Sequence, residues 1–282
     1  MYVLDAPDGA VYDVGMADLG RIRADLEAEH SQLDAIVADL DEKAWTTKTP
    51  AEGWDVRDQV SHLAFFDEQA KLAVSDPDGF SRSLTEIAAD VGAFLDRSIS
   101  QGRAMSGPDV LQWWRRARAE MVKAFEELDP DRRIAWYGPP MKPASFISAR
   151  IMETWAHAQD VADALGIRRQ ATGNLRHVAH LAVLARGFSY QANGLLMPAE
   201  PVYVELTGTN GEVWKWGEDA TDRVTGEAFD FCLVATQRRH VDDTDLEVSG
   251  PQAAQWMSIA QTYAGPPGSG RRPGQFLKRS AV

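Results

Sequence analysis

Up to about residue 192, apolar residues recur at three- and four-residue intervals, a pattern that predicts long amphipathic helices. From about Met16 to Leu40, the residues Leu19, Ile22, Leu26, Leu33, Ile36, Val37 and Leu40 keep that spacing between charges. The segment Asp41 to Gly53 contains Pro50 and Gly53 and ends this helix. Asp55 is placed to cap the next one, Asp58 adds an acidic group to its first turn, and Val56, Val60, Leu63, Ala64 and Ala70 form its apolar face. His62 lies on the same helix. After Asp76-Pro77-Asp78-Gly79 a third region runs to about Leu128 as one bent helix or two, interrupted at Gly102, Gly107 and Pro108. Gly138 to Pro143 reads as a loop, and Ala144 to Leu165 as a helix closed by Gly166. Helical pattern resumes from about Asn174 to Ala192.

At Pro198 the period changes. Val202 to Gly208 alternates and is rich in β-formers, and Gly211 to Gly217 follows the turn signal Thr209-Asn210-Gly211. A helix from Glu227 to about Arg238, a strand at Leu246 to Val248 and a helix from Gln252 to Ala260 complete this part. The expected fold is mainly α with a small α+β C-terminal domain. An antiparallel four-helix bundle occupies residues 1–197, an α/β sandwich-like domain 198–263, and a Gly/Pro-rich, partly mobile tail 264–282. No internal repeat is present.

Composition narrows the classes of function. With 29 basic and 42 acidic residues among 282, the net charge of -13 disfavours nonspecific attraction to nucleic acid or anionic membrane. No run of apolar residues is long enough for a transmembrane helix, and Met1 to Pro7 lacks the start of a secretion signal. Cys232 is the only cysteine, which excludes an intrachain disulfide and a cysteine-rich zinc ribbon. A cytoplasmic location is the expectation. Cys232 sits among Phe229, Phe231, Leu233 and Val234, a setting that predicts burial.

The chemistry concentrates in two segments. Glu153 and His157, four apart, share one helix face. Adding His62 from a second helix makes two imidazoles and a carboxylate, a donor set for zinc with coordination positions left open; nickel, iron or manganese suit it too. Asp160, one turn beyond His157, is placed to accept the far N–H of its ring. Asp67 stands five residues from His62, a poor spacing for a fourth ligand. His177 and His180 read as ordinary residues, and His30 and His240 as surface residues. Trp113, Trp114, Trp136 and Trp155 read as core more readily than as the lining of a pocket.

These segments resemble the DinB-like superfamily of metal-binding helical bundles, and more closely the branch containing mycothiol-dependent maleylpyruvate isomerase. The family pattern Trp-x-x-x-Asp-x-x-x-His is met by Trp54, Asp58 and His62, and Glu-x-x-x-His-x-x-Asp by Glu153, His157 and Asp160. Ala156 to Gly166 is the most specific stretch, the resemblance covers residues 15 to about 195, and the Val204 to Gly208 and Trp214 to Gly217 segments are similar to the branch's small second domain. The resemblance implies a bound divalent metal, most often zinc, that activates a low-molecular-weight thiol such as mycothiol. The thiolate then adds to a small-molecule electrophile, for isomerisation or for transfer. It also implies a second-domain arginine that assists the substrate. Arg238 is the nearest candidate, although Ala235-Thr236-Gln237-Arg238-Arg239 departs from the family's Gly-Arg motif. A noncatalytic metal- or ligand-binding protein, or a module whose apolar stripes serve a homodimer, are the competing readings on the same fold.

Overall fold

The computed structural model describes residues 18–89, 91–138, 140–217 and 220–278. The described residues form two compact units, one ending at Arg169 and the other beginning at Gln170. The Met16 start of the first predicted helix and the segment Met1 to Pro7 lie outside the described residues.

The first unit is helical. Helix α1 (Leu19–Val37) starts where the Asp18 carboxylate accepts from the Arg21 N–H at 3.2 Å, and buries Ile22, Leu26, Leu33 and Val37. A single turn, α2 (Glu42–Trp45), forms inside the predicted break and buries Trp45. Helix α3 (Val56–Ser75) opens with a reciprocal capping box between Asp55 and Asp58, as the spacing predicts. In the region after Asp76 the described helical segments are α4 (Pro77–Ala89), α5 (Val91–Arg103) and α6 (Gly107–Ala124), and the break before α6 falls where Gly102, Gly107 and Pro108 predict an interruption. Ser106 caps α6, with Pro108 in its first turn. Helix α7 (Pro143–Leu165) ends at Gly166, whose φ of 66° is the left-handed conformation that favours glycine there.

Helix α3 is central, packed most extensively on α6 and also on α5 and α7, while α1 packs on α7. One apolar cluster joins Val37, Trp45, Val60, Leu63, Val110, Trp114 and Val161; another joins Leu26, Phe80, Met121, Phe125, Phe146 and Ile151. Trp113, Trp114 and Trp155 belong to the buried core, as expected.

The second unit contains α8 (Leu175–Leu184), α9 (Arg186–Ala192), strands β1 (Val202–Thr207), β2 (Val213–Trp216) and β3 (Asp222–Glu227), helix α10 (Ala228–Ala235), strand β4 (Glu247–Ser249) and α11 (Pro251–Ile259). The sheet order is β2-β1-β3-β4; β1 pairs antiparallel with β2 at Val204↔Trp216 and parallel with β3 at Val204↔Val224. Strand β3 is absent from the sequence expectation, because Asp222-Arg223-Val224-Thr225-Gly226-Glu227 has neither clean alternation nor a run of β-formers. Helices α8 and α9 group with the sheet, not with the bundle, since the apolar face of α8 packs against α10. The division at Arg169 therefore falls earlier than the periodicity places it. Cys232 is fully buried on α10, and burial pushes its thiol pKa up.

Among its described residues, the tail after Ala264 has no helix or strand and is held at two points. The Gly274 and Phe276 N–H groups donate to the Asp243 carboxylate at 2.6 and 3.2 Å, and the Arg239 guanidinium lies 3.7 Å from the Phe276 ring centroid. Among the described residues no helix is long and apolar enough to cross a membrane.

Candidate metal centre

Helices α3 and α7 bring together the three residues expected to hold a metal. One donor atom from each of His62, Glu153 and His157 lies within 4.8 Å of the others. The His62 and His157 ring centroids are 4.6 Å apart, and His157 Nε2 is 3.3 Å from Glu153 Oε2. His157 is buried, whereas His62 and Glu153 are half-buried, so the cluster has a deep side and an accessible side.

Each imidazole is held through its other nitrogen. His157 Nδ1 meets Gln59 Oε1 at 2.5 Å, and His62 Nδ1 meets Ser98 Oγ on α5 at 3.2 Å. Such contacts orient a ligand ring and leave the opposite nitrogen for an ion. Trp54 closes one wall, stacked on His157 at 5.9 Å and tilted against His62 at 5.1 Å; Phe66 lies 4.5 Å from His62. Burial opposes charge on Glu153, but the hydrogen bond from His157 and the positive charges of His157, Arg150 and His62 prevail and pull its pKa down to about 2. The carboxylate is thus ready as an anionic ligand at neutral pH.

Asp67 takes no part. It is fully buried, accepts from Arg150 Nε and Nη2 at 3.2 and 2.7 Å, and accepts from Trp114 Nε1 at 3.1 Å. Among the described residues the cluster therefore offers two imidazoles and a carboxylate without a further acidic ligand. That donor set fits a zinc-class ion with coordination positions free for a substrate atom.

The model of the mycothiol maleylpyruvate isomerase N-terminal domain matches residues 26–162, and a model described as wyosine base formation matches residues 198–248. Uncharacterized proteins from two strains of Mycobacterium tuberculosis are each 46% identical over 257 residues, 91% of this chain and 100% of theirs. The crystal structure of the mycothiol-dependent maleylpyruvate isomerase matches with a TM-score of 0.54 at 15% identity, covering 84% of this chain and 97% of that one. A histidine-to-alanine mutant of that enzyme gives a TM-score of 0.55 with the same identity and coverage. Residues 26–162 belong to the mycothiol maleylpyruvate isomerase N-terminal domain family.

Within the maleylpyruvate isomerase-like pattern, the remaining motif residues serve the frame. Asp58 pairs with Arg103 Nε and Nη2 at 2.8 and 2.7 Å, and Arg103 also donates to the Gly53 carbonyl at 3.0 Å. This ties α5 and the loop before α3 to the helix that carries His62. Asp160 is fully buried, but the residue at His157 Nδ1 is Gln59. Gln59 precedes His62 by three residues and so shares its face of α3; that spacing is the signal by which it could have been found.

The other candidates fall elsewhere. Arg238 lies in the second unit, where its backbone N–H donates to the Leu233 carbonyl at 2.7 Å and its guanidinium to the Thr236 carbonyl at 2.6 Å, closing the end of α10. His180 accepts from Trp216 Nε1 at 3.2 Å, a packing role consistent with an ordinary residue. His240 is half-buried and accepts from the Asp242 N–H. His30 corrects the surface expectation: it is buried, edge-on to Trp114 at 5.8 Å, and burial followed by the charges of Arg118 and Arg150 lowers its pKa well below the usual histidine value.

Proposed function

We propose that His62, Glu153 and His157 hold a divalent metal ion, zinc foremost, and that the protein is a thiol-dependent transferase or isomerase acting on a small electrophile. The convergence of the three donors around an accessible side carries this reading. When bound, such an ion holds a coordinating thiol as thiolate, the nucleophilic form. The protein's own residues do the rest. Gln59 and Ser98 keep the imidazoles in place, Glu153 contributes the negative charge, and Trp54 and Phe66 present apolar walls that exclude water from one side. Cys232 is fully buried and so poorly suited to be the nucleophile, which leaves that role to an external thiol. Mycothiol is the natural first choice, because the matching domain model and the matching crystal structure are both of mycothiol-dependent maleylpyruvate isomerase. Arg238 is carried with this proposal as the second-unit residue to test for assistance to the substrate.

The test is metal content by elemental analysis, followed by thiol titration of the cobalt-substituted protein. Near-stoichiometric metal is expected in the wild type, with loss in His62→Ala and His157→Ala at unchanged helical content. A thiolate charge-transfer band on adding mycothiol supports the thiol chemistry. Stoichiometric metal that ignores thiols would instead support a noncatalytic binding protein, and unchanged stoichiometry in both variants would remove the site assignment.

A further inference from the structure

We propose that the cleft between the end of α10, the end of α11 and the tail binds the anionic group of a small molecule, a phosphate or a carboxylate, with Arg239 and Arg271 as its cationic contacts. All of its walls belong to the second unit, and the proposal is independent of the metal reading.

The cleft measures about 80 Å³, with Val234, Met257 and Ala260 as its apolar side. A water takes about 10–15 Å³ of such space, so there is room for roughly five to eight waters, the scale of a phosphate or a small acid. A coenzyme-sized ligand needs about 300 Å³ or more. Charge then narrows the class. The chain carries 42 acidic and 29 basic residues, yet the lining includes Arg239, His240 and Arg271 and no aspartate or glutamate. Two guanidinium groups on one small cleft repel each other, and an anion entering it lowers the energy of both. Asn193, Gln237, Ser258 and Ser269 add neutral hydrogen-bonding groups to the lining, which suits an oxyanion with several lone pairs.

The walls are braced. Arg239 Nη1 donates to the Arg238 carbonyl at 2.6 Å, and its guanidinium lies against the Phe276 ring, which holds the planar fork in one orientation. His240 Nδ1 accepts the Asp242 N–H at 3.2 Å and stands 3.4 Å from the Asp242 carboxylate, an exposed group outside the lining. Gln237 takes a φ of 60°, the only left-handed non-glycine among the described residues. It follows the end of α10, where glycine is favoured: its N–H donates to the Val234 carbonyl at 2.9 Å, and the Arg238 N–H to the Leu233 carbonyl at 2.7 Å. The side chain does there what glycine could not. Gln237 Oε1 accepts from the Tyr263 hydroxyl at 2.5 Å, and Nε2 donates to the Ala260 carbonyl at 3.2 Å. At Gly268 the tail passes so close that a Cβ would stand 2.2 Å from Gln237 Oε1 and 2.4 Å from the Tyr263 hydroxyl. Gln237 thus clasps the tail against the end of α11, and residues 268–271 become a wall of the cleft. Backbone strain of this kind gathers at ligand clamps.

The test uses the full chain with labelled arginines, titrated with inorganic phosphate or with acetate at fixed ionic strength and followed by NMR. The Nε–H signals of Arg239 and Arg271 are expected to shift with saturation. A response to phosphate alone assigns a phosphate group, a response to acetate alone a carboxylate, and a response to both an oxyanion site that takes either. Arg239→Gln and Arg271→Gln should each raise the apparent Kd about tenfold or more, the loss of a hydrogen bond between charged groups. Arg223→Gln, which removes an exposed charge on β3, should leave it unchanged. If Arg239→Gln fails to fold, as checked by circular dichroism, Arg271→Gln carries the test. No saturable shift with either anion, wild-type affinity in Arg271→Gln, or an equal loss in Arg223→Gln overturns the proposal.

Discussion

In the helical unit the buried carboxylates of Glu29 and Asp67 meet the guanidinium groups of Arg169 and Arg150, whereas in the sheet-containing unit those of Asp222, Asp230 and Asp243 meet backbone N–H groups. Asp222 accepts from Gln252 and Ala253 N–H at 2.6 and 3.1 Å, at the start of α11; Asp230 accepts from Asp245 N–H at 2.9 Å. The difference follows from the backbone. A long helix satisfies its own N–H groups except in its first turn, so a carboxylate in mid-helix must find a side chain from elsewhere. Short strands, short helices and a long irregular tail leave N–H groups to be claimed, and a carboxylate can take two of them. Charge pairs therefore set how the helices around the candidate metal centre lie against each other, while carboxylate-to-backbone bonds pin the loops and tail of the second unit.

The largest expected effect comes from breaking the deepest pair. Arg150→Ala leaves Asp67 buried without its counter-charge, and urea unfolding should show a loss of about 3–5 kcal/mol. The double variant Asp67→Leu with Arg150→Met should recover most of that stability. A double variant as unstable as the single would mean that the pair contributes net stability, beyond merely needing to stay intact. Next, Asp222→Ala should cost about 1–2 kcal/mol, the loss of a helix-start acceptor, with faster hydrogen exchange at the Gln252 and Ala253 amides. Exchange unchanged at those two amides would show that the carboxylate does not hold them.

A smaller, pH-dependent effect belongs to Asp34. The hydrogen bond from Arg115, opposed by partial burial and aided by the charges of Arg118 and Arg115, holds its pKa below the usual carboxylate value. A lowered folded-state pKa means the stabilisation is full above the unfolded value, about 3.9, and is lost as pH falls through the lower folded value. The wild-type thermal midpoint should therefore fall more steeply than that of Asp34→Asn below about pH 5; parallel curves would count against the pairing. Smallest of all is the exposed Lys71–Glu120 pair, where Lys71→Ala should leave the midpoint unchanged within error.

Helix positions, the Asp55 cap, the Gly166 stop and the shared face of Glu153 and His157 were determined by the sequence alone. Each depends on residues within a turn or two of one another, and local spacing governs them. The pairing of His62 with that face was legible only through the resemblance of both segments to a known family, because periodicity does not say which helix faces which. Tertiary structure alone decided that Gln59 and Ser98 hold the imidazoles, that His30 is buried beneath Trp114, that α8 and α9 belong with the sheet, and that β3 forms beside β1. A hydrogen bond between distant residues, the burial of a polar side chain and the pairing of a weak strand all depend on which surfaces meet. That is settled only when the whole chain packs.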